Sequence, residues 1–531
     1  MSEAGTAVMP EVGARNRWVQ VLVPTLTDFL FISFFMWIFA TGAGWMTLLA
    51  DGDTGFHIRT GDYILQTGTV PKTDIFSFSK AGEPWFAWEW LSAVVFSKLH
   101  AAAGLKALVF FCGVLITASV VLLFRLMLWR GSQLFPALFL TLLASGAAWI
   151  HFLARPHLFT LLLLPVALWW LERERRECSA ALWWLIPIFI VWTNLHGGFL
   201  VAIACTGIYA VGSLIEGLWA NGFVLRQALR EDGPDRRFYQ ARRFLLLAAG
   251  LSVAAMVNPY GWRLYAHLAG FFATGEWWQK AIQEFEPTKV GDPQMRQFEI
   301  LLLLGVGWLA SLIRRRRVVE ALLIVFFAQQ ALGSVRHVSL YAWVAAPILA
   351  EEISALWETW TAHRPRKSVM GILRDLNREF TYKPLAPTVW SLAVLLFIWV
   401  SPAQSWPTDF PDVKYPLAMI KKHENRFVRP GGAEVRLLTS DEYGDYFIYR
   451  FYPKMKVFLD GRGDFYGPAF QRDAARLLAG KHPWRDLLRK YKFNLALIPV
   501  DWNLAETLKL DPGWRVVEDN GMAVLFEERR P

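Results

Sequence analysis

Three chemically capable side chains, Asp51, Asp53 and His57, follow directly after a long apolar run. Two carboxylates at this spacing can give oxygen ligands to a hard divalent cation such as Mg²⁺ or Mn²⁺. One of them can instead remove a proton from an acceptor hydroxyl. A helix-ending loop with solvated acids would also place polar residues here. The pair predicts a catalytic role for Asp51 and Asp53, as a base or as metal ligands, with His57 one helical turn further on.

Other ionisable side chains stand at the ends of separate apolar segments. The motifs that carry them are "HFLARPH" with Arg155 and His157, "TNLHGG" with His196, and "VRH" with Arg336 and His337. Guanidinium groups form bidentate, charge-assisted hydrogen bonds with phosphate. The set therefore predicts a phosphate-binding site. The alternative is that each cation pairs with a carboxylate and only ties helices together.

Two acidic segments are rich in aromatic residues. Glu89 stands in "WFAWEW", and Glu284 precedes Glu286 in "WWQKAIQEFEP". Acids in a loop usually face water, but the aromatic neighbours indicate a segment packed against the membrane surface. This setting favours a functional role for Glu284 over Glu286.

The composition indicates a membrane protein. The chain has 531 residues, of which 54% are hydrophobic, with 27 Trp and 39 Phe. This is more apolar surface than a soluble protein of this size buries. The net charge of +10 could suggest nucleic acid, but the basic residues fall in short clusters between apolar runs, where they act as topology signals. The three cysteines show no CxxC spacing, so neither a disulfide framework nor a zinc site is indicated.

About eleven apolar segments are candidate transmembrane helices, several of them short for a span of about 20 residues. They are residues 20–49, 105–128, 133–152, 157–172, 181–196, 198–219, 243–258, 299–313, 318–335, 337–357 and 386–402. With these spans, all basic clusters lie on one side, which the positive-inside rule makes cytoplasmic. Residues 88–100 then form an amphipathic helix on the outer surface. We expect a multi-pass protein of the inner membrane with a cytoplasmic N-terminus.

Two domains are predicted. Residues 1–402 form the transmembrane domain, with extracytoplasmic loops at 51–104 and 259–298. Residues 403–531 turn mixed in composition, with strand-like runs "AEVRLLTS", "MKVFLD" and "FNLALIPV" and a helix-like "AFQRDAARLLAG". They predict a small extracytoplasmic α/β domain above the polar set. Glycine-rich turns there carry Asp441, Asp460 and Arg462. Acidic and aromatic side chains on such loops commonly bind sugars or peptide, and equally commonly they only shape a turn.

The order of these features resembles the C-type (GT-C) membrane glycosyltransferases, which include oligosaccharyltransferases, protein O-mannosyltransferases and aminoarabinose transferases. The motifs that carry the resemblance are the segment starting "DGDTGFHIRTGDY", "AIQEFEP" and "VFLDGRGDFYG". The resemblance implies a polytopic helical fold and transfer of a sugar from a polyprenyl-phosphate donor on the outer side. It implies that Asp51 or Asp53 is the first-loop catalytic acid and Glu284 the fifth-loop acid. The acceptor motif WWDYG does not occur, so the resemblance does not extend to a sequon acceptor.

The predicted partners are therefore the lipid-linked donor, membrane lipids, and a glycan, lipid or protein acceptor, with no nucleic acid. The predicted substrate-binding residues are His57, Glu89, Arg155, His157, His196, Arg336, His337, Asp460 and Arg462. Two other functions fit the same pattern. A lipid or polysaccharide transporter would also place charges within a helical bundle, and a non-catalytic assembly subunit could use its tail to dock partners. Bond formation on a supplied acceptor distinguishes the enzyme from both.

Overall fold

A computed structural model describes residues 22–40, 44–222, 236–273, 283–381, 388–401, 406–429 and 434–529. The helices of this part are α1 Leu26–Ala40, α2 Trp45–Leu48, α3 Asp53–Thr67, α4 Trp90–Arg130, α5 Leu134–Ala148, α6 His157–Glu177, α7 Leu185–Leu195, α8 Leu200–Ala220, α9 Arg236–Ala254, α10 Arg263–Ala273, α11 Arg296–Arg314, α12 Val318–Gly333, α13 Val338–Ala362, α14 Val369–Thr381, α15 Val389–Val400, α16 Leu417–Lys422, α17 Glu424–Phe427, α18 Asp441–Phe451, α19 Gly463–Leu478, α20 Trp484–Tyr491 and α21 Asn503–Leu510. The strands are β1 Leu437–Thr439, β2 Leu495–Pro499, β3 Trp514–Asp519 and β4 Ala523–Glu528. Short 3₁₀ turns occupy Trp149–His151, Ala180–Trp184, Gly197–Phe199, Gln283–Phe285, Pro293–Met295 and Val335–His337.

The helical part has the character of a multi-pass membrane protein. Within the described residues, five helices are long and apolar enough to cross a membrane: Trp90–Arg130, Leu134–His151, Gly197–Ala220, Pro293–Arg314 and Val335–Ala362. Shorter apolar helices cover Leu26–Phe39, Ala180–Leu195, Val318–Gly333 and Val389–Val400. A helix lies in each of the eleven predicted segments. The number of helices that cross the membrane stays a prediction.

Helix α4 contains a break near its start. Ala103 and Gly104 have non-helical backbone angles, and Gly104 has a φ of 64°. This left-handed conformation strongly favours glycine, because a Cβ atom is strained there. The break separates residues 90–102 from the apolar stretch that follows, next to the predicted boundary between the surface helix and the span.

The ends of the helices far from Glu89 are joined by a buried ionic network. Arg130, at the end of α4, pairs with Glu172 of α6 at 3.0 Å, and Arg317 pairs with Glu352 of α13 at 2.7 Å. Removing one partner of such a buried pair leaves an uncompensated charge and is strongly destabilising. The network therefore fixes this end of the bundle, opposite to the end that carries the predicted site.

The C-terminal domain is built on a four-stranded mixed sheet in the order β1-β2-β4-β3. β1 pairs with β2 in parallel, and β4 is antiparallel to both β2 and β3. Two of the predicted strand-like runs contribute β1 and β2. The third, "MKVFLD", is outside this sheet: the Val457 backbone bonds instead with Phe76 and Phe78 of the first loop, at 3.0 and 2.9 Å. The C-terminal domain is thereby attached to the loop that follows the predicted catalytic pair.

Close packing of α18 against α3 makes the second attachment. A Cβ atom at Gly55 would lie 2.8 Å from the Asp445 carbonyl oxygen and 2.8 Å from the Tyr449 Cβ. Only glycine therefore permits this approach without a shift of the α18 backbone. Arg59 Nε also donates to the Tyr449 carbonyl at 2.7 Å. Asp441, predicted in a turn, is instead the first residue of α18.

Candidate active site

One cavity of about 890 Å³ lies between the helix ends, the first loop and the C-terminal domain. All twelve residues predicted for catalysis or substrate binding line it: Asp51, Asp53, His57, Glu89, Arg155, His157, His196, Glu284, Arg336, His337, Asp460 and Arg462. We refer to it as the central cavity. Residues up to about 400 positions apart in the chain meet there. The convergence does not by itself assign a role to any of them.

Arg155 is the centre of the polar part of the cavity. Its Nη1 atom lies 2.9 Å from Asp51 Oδ2 and also contacts Glu284 Oε1. Its Nη2 atom lies 2.5 Å from Asp53 Oδ2. A planar guanidinium can bind three carboxylates in this way because its donors point in fixed, divergent directions. Arg155 therefore fixes the relative positions of all three predicted catalytic acids.

Backbone contacts hold the Arg155 segment against the start of α3. The Ala154 amide donates to the Leu48 carbonyl at 2.7 Å, and Thr54 Oγ1 donates to the Ala154 carbonyl at 2.8 Å. Thr54 is the second residue of α3, directly after Asp53. The same turn that presents Asp53 thus carries the anchor for Arg155.

The two aspartates differ in the contacts that their carboxylate oxygens make. Asp51 Oδ1 accepts the Asp53 amide at 2.9 Å, while its other oxygen pairs with Arg155. Both oxygens of Asp51 are therefore engaged in holding the start of α3. Asp53 is buried, and burial raises its pKa well above the ordinary value, although Arg155 opposes the rise. A carboxylate with a raised pKa is the stronger base.

Asp445, which was not among the predicted site residues, adds a fourth carboxylate beside Asp53. It is buried, and both of its oxygens face the Gly461 amide at 3.1 Å. A Cβ atom at Gly461 would lie 2.1 Å from Asp53 Oδ1 and 2.8 Å from Asp445 Oδ2. The two carboxyl groups therefore approach each other across a glycine. Burial and the charge of Asp53 raise the pKa of Asp445.

The segment around Glu284 is attached to the turn that carries Arg336. Val335 N donates to the Glu286 carbonyl at 3.0 Å, and Ser334 Oγ donates to the Glu284 carbonyl at 3.1 Å. The Arg336 guanidinium lies 4.9 Å from the centre of the Phe285 ring. Arg155 lowers the pKa of Glu284 to about 2, with burial opposing and Arg336 assisting. Glu284 is thus an ionised partner of the arginine rather than a base. Trp277 and Trp278, used to predict this segment's packing, lie outside the described residues.

Glu89 lies between two histidines on another wall. Its carboxylate oxygens are 3.4 Å from His57 Nε2 and 3.5 Å from His196 Nε2. His196 Nδ1 accepts the Gly198 amide at 3.0 Å, so a neutral His196 carries its proton on the nitrogen that faces Glu89. Burial raises the pKa of Glu89 to about 7, while burial and then Arg155 lower the pKa of His57 to about 3.

The other two predicted histidines are oriented by backbone carbonyls. His157 Nε2 contacts the His151 carbonyl, and His337 Nδ1 lies 3.3 Å from the Gln330 carbonyl. In each histidine, the second ring nitrogen takes no part in this contact with the carbonyl. Both line the central cavity.

Asp460 and Arg462 are engaged with the protein itself. Arg462 Nη2 lies 2.7 Å from Asp74 Oδ1 and 2.7 Å from Asp460 Oδ2, and its guanidinium is 4.4 Å from the centre of the Trp85 ring. The Arg462 side chain is only 2% exposed. Because Asp74 and Trp85 belong to the first loop, these contacts fasten the C-terminal domain to it. The predicted substrate-binding role of Asp460 and Arg462 stays a prediction.

An apolar wall completes the cavity. It is formed by Phe271 and Phe272 of α10 and by Phe326 and Phe327 of α12. Phe272 is 64% exposed and Phe326 is 38% exposed, whereas Phe327 is buried. The cavity therefore joins a charged floor to an aromatic rim that opens at the surface of the bundle.

The donor set does not match a divalent metal site. Asp51, Asp53 and Glu284 converge on the Arg155 guanidinium rather than on an open coordination position. Within the described residues, no group of three or more His, Cys, Asp or Glu side chains is arranged to hold a metal ion. The geometry gives Mg²⁺ or Mn²⁺ no support, and their use stays an untested prediction.

The fold resembles that of solved membrane glycosyltransferases. The oligosaccharyltransferase of Archaeoglobus fulgidus in its apo form aligns with a TM-score of 0.50 at 12% identity, over 90% of this chain and 69% of that one. The same enzyme tethered to an acceptor peptide with the NVT sequon aligns with a TM-score of 0.50 at 13% identity, over 95% and 74%. The predicted GT-C resemblance is confirmed for the fold.

ArnT from Cupriavidus metallidurans, solved with undecaprenyl phosphate, aligns over 94% of this chain and 97% of that one. Its TM-score is 0.49 and its identity 14%. No family model matches the chain. No curated protein matches it by sequence. At 12% and 13% identity, the similarity to the Archaeoglobus fulgidus enzyme shows the fold, and the reaction has to be argued from the cavity.

Proposed function

We propose that this chain is a membrane glycosyltransferase that moves a sugar from a polyprenyl-phosphate donor to an acceptor. The observation that carries the proposal is the composition of the central cavity. Arg336 and the Arg155-centred acids supply charge, and the aromatic rim beside Phe272 opens at the bundle surface. A molecule with a sugar, a phosphate and a long hydrocarbon tail matches a cavity that has one charged part and one aromatic part. The solved ArnT is a protein crystallised with undecaprenyl phosphate.

In this proposal Arg336 binds the donor phosphate. It lines the cavity from the turn at Val335–His337, and the neighbouring Phe285 ring holds its guanidinium plane. Arg155 is already bound by three carboxylates, whereas Arg336 carries no carboxylate contact at ion-pair distance among the described residues. The N–H groups of the Arg336 guanidinium are therefore available to bind the phosphate. A guanidinium that stabilises the departing phosphate lowers the barrier electrostatically.

Asp53 is the proposed base. The acceptor oxygen bonds to the anomeric carbon of the donor, and the bond from that carbon to the phosphate oxygen breaks. The electron pair stays on the phosphate, and the acceptor proton moves to an Asp53 oxygen. Such a single displacement inverts the configuration at the sugar carbon. Asp51 and Glu284 keep Arg155, and through it Asp53, in position.

The test uses purified full-length protein reconstituted in liposomes with a set of undecaprenyl-phosphate-linked sugars. We measure release of undecaprenyl phosphate and labelling of acceptors extracted from the source membranes. Asp53→Asn should lower turnover by about a hundredfold or more. Asp51→Asn should lower it less, because Asp51 acts through Arg155.

The matched control is Glu83→Gln, an exposed acid in the same loop that pairs only with Lys80 at 2.8 Å among the described residues. It should keep wild-type turnover. Wild-type turnover in Asp53→Asn would remove Asp53 as the base. Movement of the lipid across the bilayer without bond formation would replace the enzyme with a transporter.

A topological part of the proposal concerns sidedness. The basic clusters near Arg130 and Arg317 lie at the end of the bundle opposite the cavity. By the positive-inside rule that end is cytoplasmic and the cavity extracytoplasmic. A cysteine introduced at exposed Leu510 of the C-terminal domain, in a variant without native cysteines, should react with an impermeant maleimide in intact spheroplasts. Protection until the membrane is lysed would reverse this orientation.

A further inference from the structure

The C-terminal domain has a second concave surface beside the central cavity. It is a groove of about 440 Å³ between α19 and the turn before α21. Asp441 and Gln471 line both the groove and the central cavity. The two spaces are therefore neighbours that share part of their walls, and a chain-like molecule in the groove could extend its end towards the central cavity.

The floor of the groove is a single face of α19. Gln471, Ala474, Ala475 and Leu478 line it at helical spacing. The two alanines keep the floor shallow beside the polar end at Gln471. On the opposite side, residues 501–503 form the wall, with Trp502 at its centre.

The side chains of this wall are available for binding. Trp502 is partly exposed, while Asp501 and Asn503 are exposed. In the part of the chain that the structure describes, the Asp501 and Asn503 side chains make no hydrogen bond. Gln471 makes one long contact, at 3.5 Å, to the Gly463 carbonyl. The groove thus presents an aromatic ring, one free carboxylate and two amides.

This chemistry matches a neutral saccharide. Carboxamides both donate and accept hydrogen bonds, as sugar hydroxyls do, and a carboxylate accepts from hydroxyls. The indole ring offers a flat apolar surface with one polar edge, suited to the C–H face of a pyranose. No Lys or Arg is among the described residues that line the groove. Without a cation, and with Asp441 and Asp501 present, the groove disfavours phosphorylated or uronic-acid chains.

We infer that this groove binds a neutral oligosaccharide chain, so that the acceptor is a glycan whose end reaches the central cavity. The inference rests on the proposed function in one respect: the oligosaccharide is an acceptor, the second substrate, only if the chain transfers a sugar. The binding site itself requires only the groove. Trp502 is its main stacking platform, and Asn503 and Gln471 select hydroxyl positions.

Binding can be measured without catalysis. The full-length protein in nanodiscs is titrated with four neutral hexasaccharides, made of glucose in β-1,4 linkage, glucose in α-1,4 linkage, N-acetylglucosamine and mannose, and with a lysine-rich hexapeptide. Calorimetry gives Kd for each. At least one hexasaccharide should bind, and Trp502→Ala should weaken it about tenfold or more, as loss of an aromatic anchor does. Trp484→Ala is the matched control, because Trp484 is a half-buried tryptophan of the same domain outside the groove.

The outcomes separate the two proposals. Binding that depends on Trp502 supports the groove, even if no sugar transfer is found and the proposed function fails. Transfer with an acceptor KM unchanged in both Trp502→Ala and Asn503→Ala overturns the groove and leaves the proposed function standing. The groove is also overturned if no hexasaccharide binds, if Trp484→Ala weakens binding equally, or if only the lysine-rich peptide binds at this site.

Discussion

Replacement of Arg155 by lysine is the most informative single perturbation of the cavity. It keeps the positive charge but replaces a planar fork with a point charge that has one nitrogen. In the native cavity, Nη1 of Arg155 contacts Asp51 and Glu284, and Nη2 contacts Asp53. One ammonium cannot occupy both positions: at the Nη1 position it leaves Asp53 without a partner, and at the Nη2 position it leaves Asp51 and Glu284 without one.

The size of the effect follows from these contacts. A hydrogen bond to a charged group contributes about 1.5–3 kcal/mol. The Arg155 side chain is 19% exposed, so solvent screens part of each contact and the lower value applies. One lost contact then amounts to about 1.5 kcal/mol and two to about 3 kcal/mol, which is roughly a 10- to 150-fold fall in turnover if these contacts maintain the Asp53 position. The donor KM should change little, because Arg336 binds the phosphate.

The assay compares kcat and donor KM of Arg155→Lys with those of Arg173→Lys in liposomes. Arg173 is a matched control since it lies on α6, is 35% exposed and pairs with Glu177 outside the central cavity. It should keep wild-type kcat. Arg155→Lys with more than half of wild-type kcat would refute the reasoning. A fall in kcat that parallels loss of a monodisperse, thermally cooperative protein would instead assign Arg155 to folding.

Three further predictions follow from particular side chains. The pKa of Glu89 rises on folding from 4.5 to about 7, so the folded protein holds a proton that the unfolded chain releases. The free energy of unfolding therefore falls as pH rises between these values, by about 3 kcal/mol in total. Glu89→Gln should flatten this slope when unfolding midpoints are measured from pH 4 to 8, and an unchanged slope contradicts the prediction. Arg462→Ala leaves Asp74 and Asp460 unpaired in a buried site and should destabilise the protein by about 3–5 kcal/mol. Proteases should then cleave faster between the two domains. Cleavage at the wild-type rate would contradict the docking of the C-terminal domain on the first loop through Arg462. Because the carboxylates of Asp51, Asp53 and Glu284 already contact the Arg155 guanidinium, EDTA should leave transfer unchanged. Loss of transfer in EDTA and its recovery with Mn²⁺ or Mg²⁺ would support the metal prediction instead.

Much of the site could be predicted because helix ends on one side of a bundle must meet. Arg155 and Arg336 each lie at the boundary of an apolar segment, Glu284 lies in an outer loop, and the basic clusters indicate which boundaries and loops share a side. Polar groups at such depth are costly and indicate a functional cavity. The same logic cannot tell a ligand-binding cation from a structural one. Arg462 is an example, since its pairing with Asp74 depends on how the C-terminal domain docks.

The remaining features depend on contacts between distant segments. Asp445 is one acid among several in "DEYGDYF", and its approach to Asp53 requires glycine at two distant positions, Gly55 and Gly461. The run "MKVFLD" has strand character, but its backbone is satisfied by the first loop rather than by the sheet.

The hairpin of β3 and β4 was missed although its signal was present. Asn520 and Gly521, a strong turn pair, separate two apolar-containing runs. Gly521 has a φ of 79°, as such a turn requires. Attention to this dipeptide would have predicted both strands.

The most direct test of the account is a structure of the full-length protein in nanodiscs with undecaprenyl phosphate, determined by electron cryo-microscopy. The account predicts phosphate density within hydrogen-bond distance of Arg336 and facing Asp53, with the prenyl chain leaving the cavity past Phe272 and Phe326. A lipid phosphate bound elsewhere on the bundle, with the central cavity holding only water at saturating lipid, would contradict it.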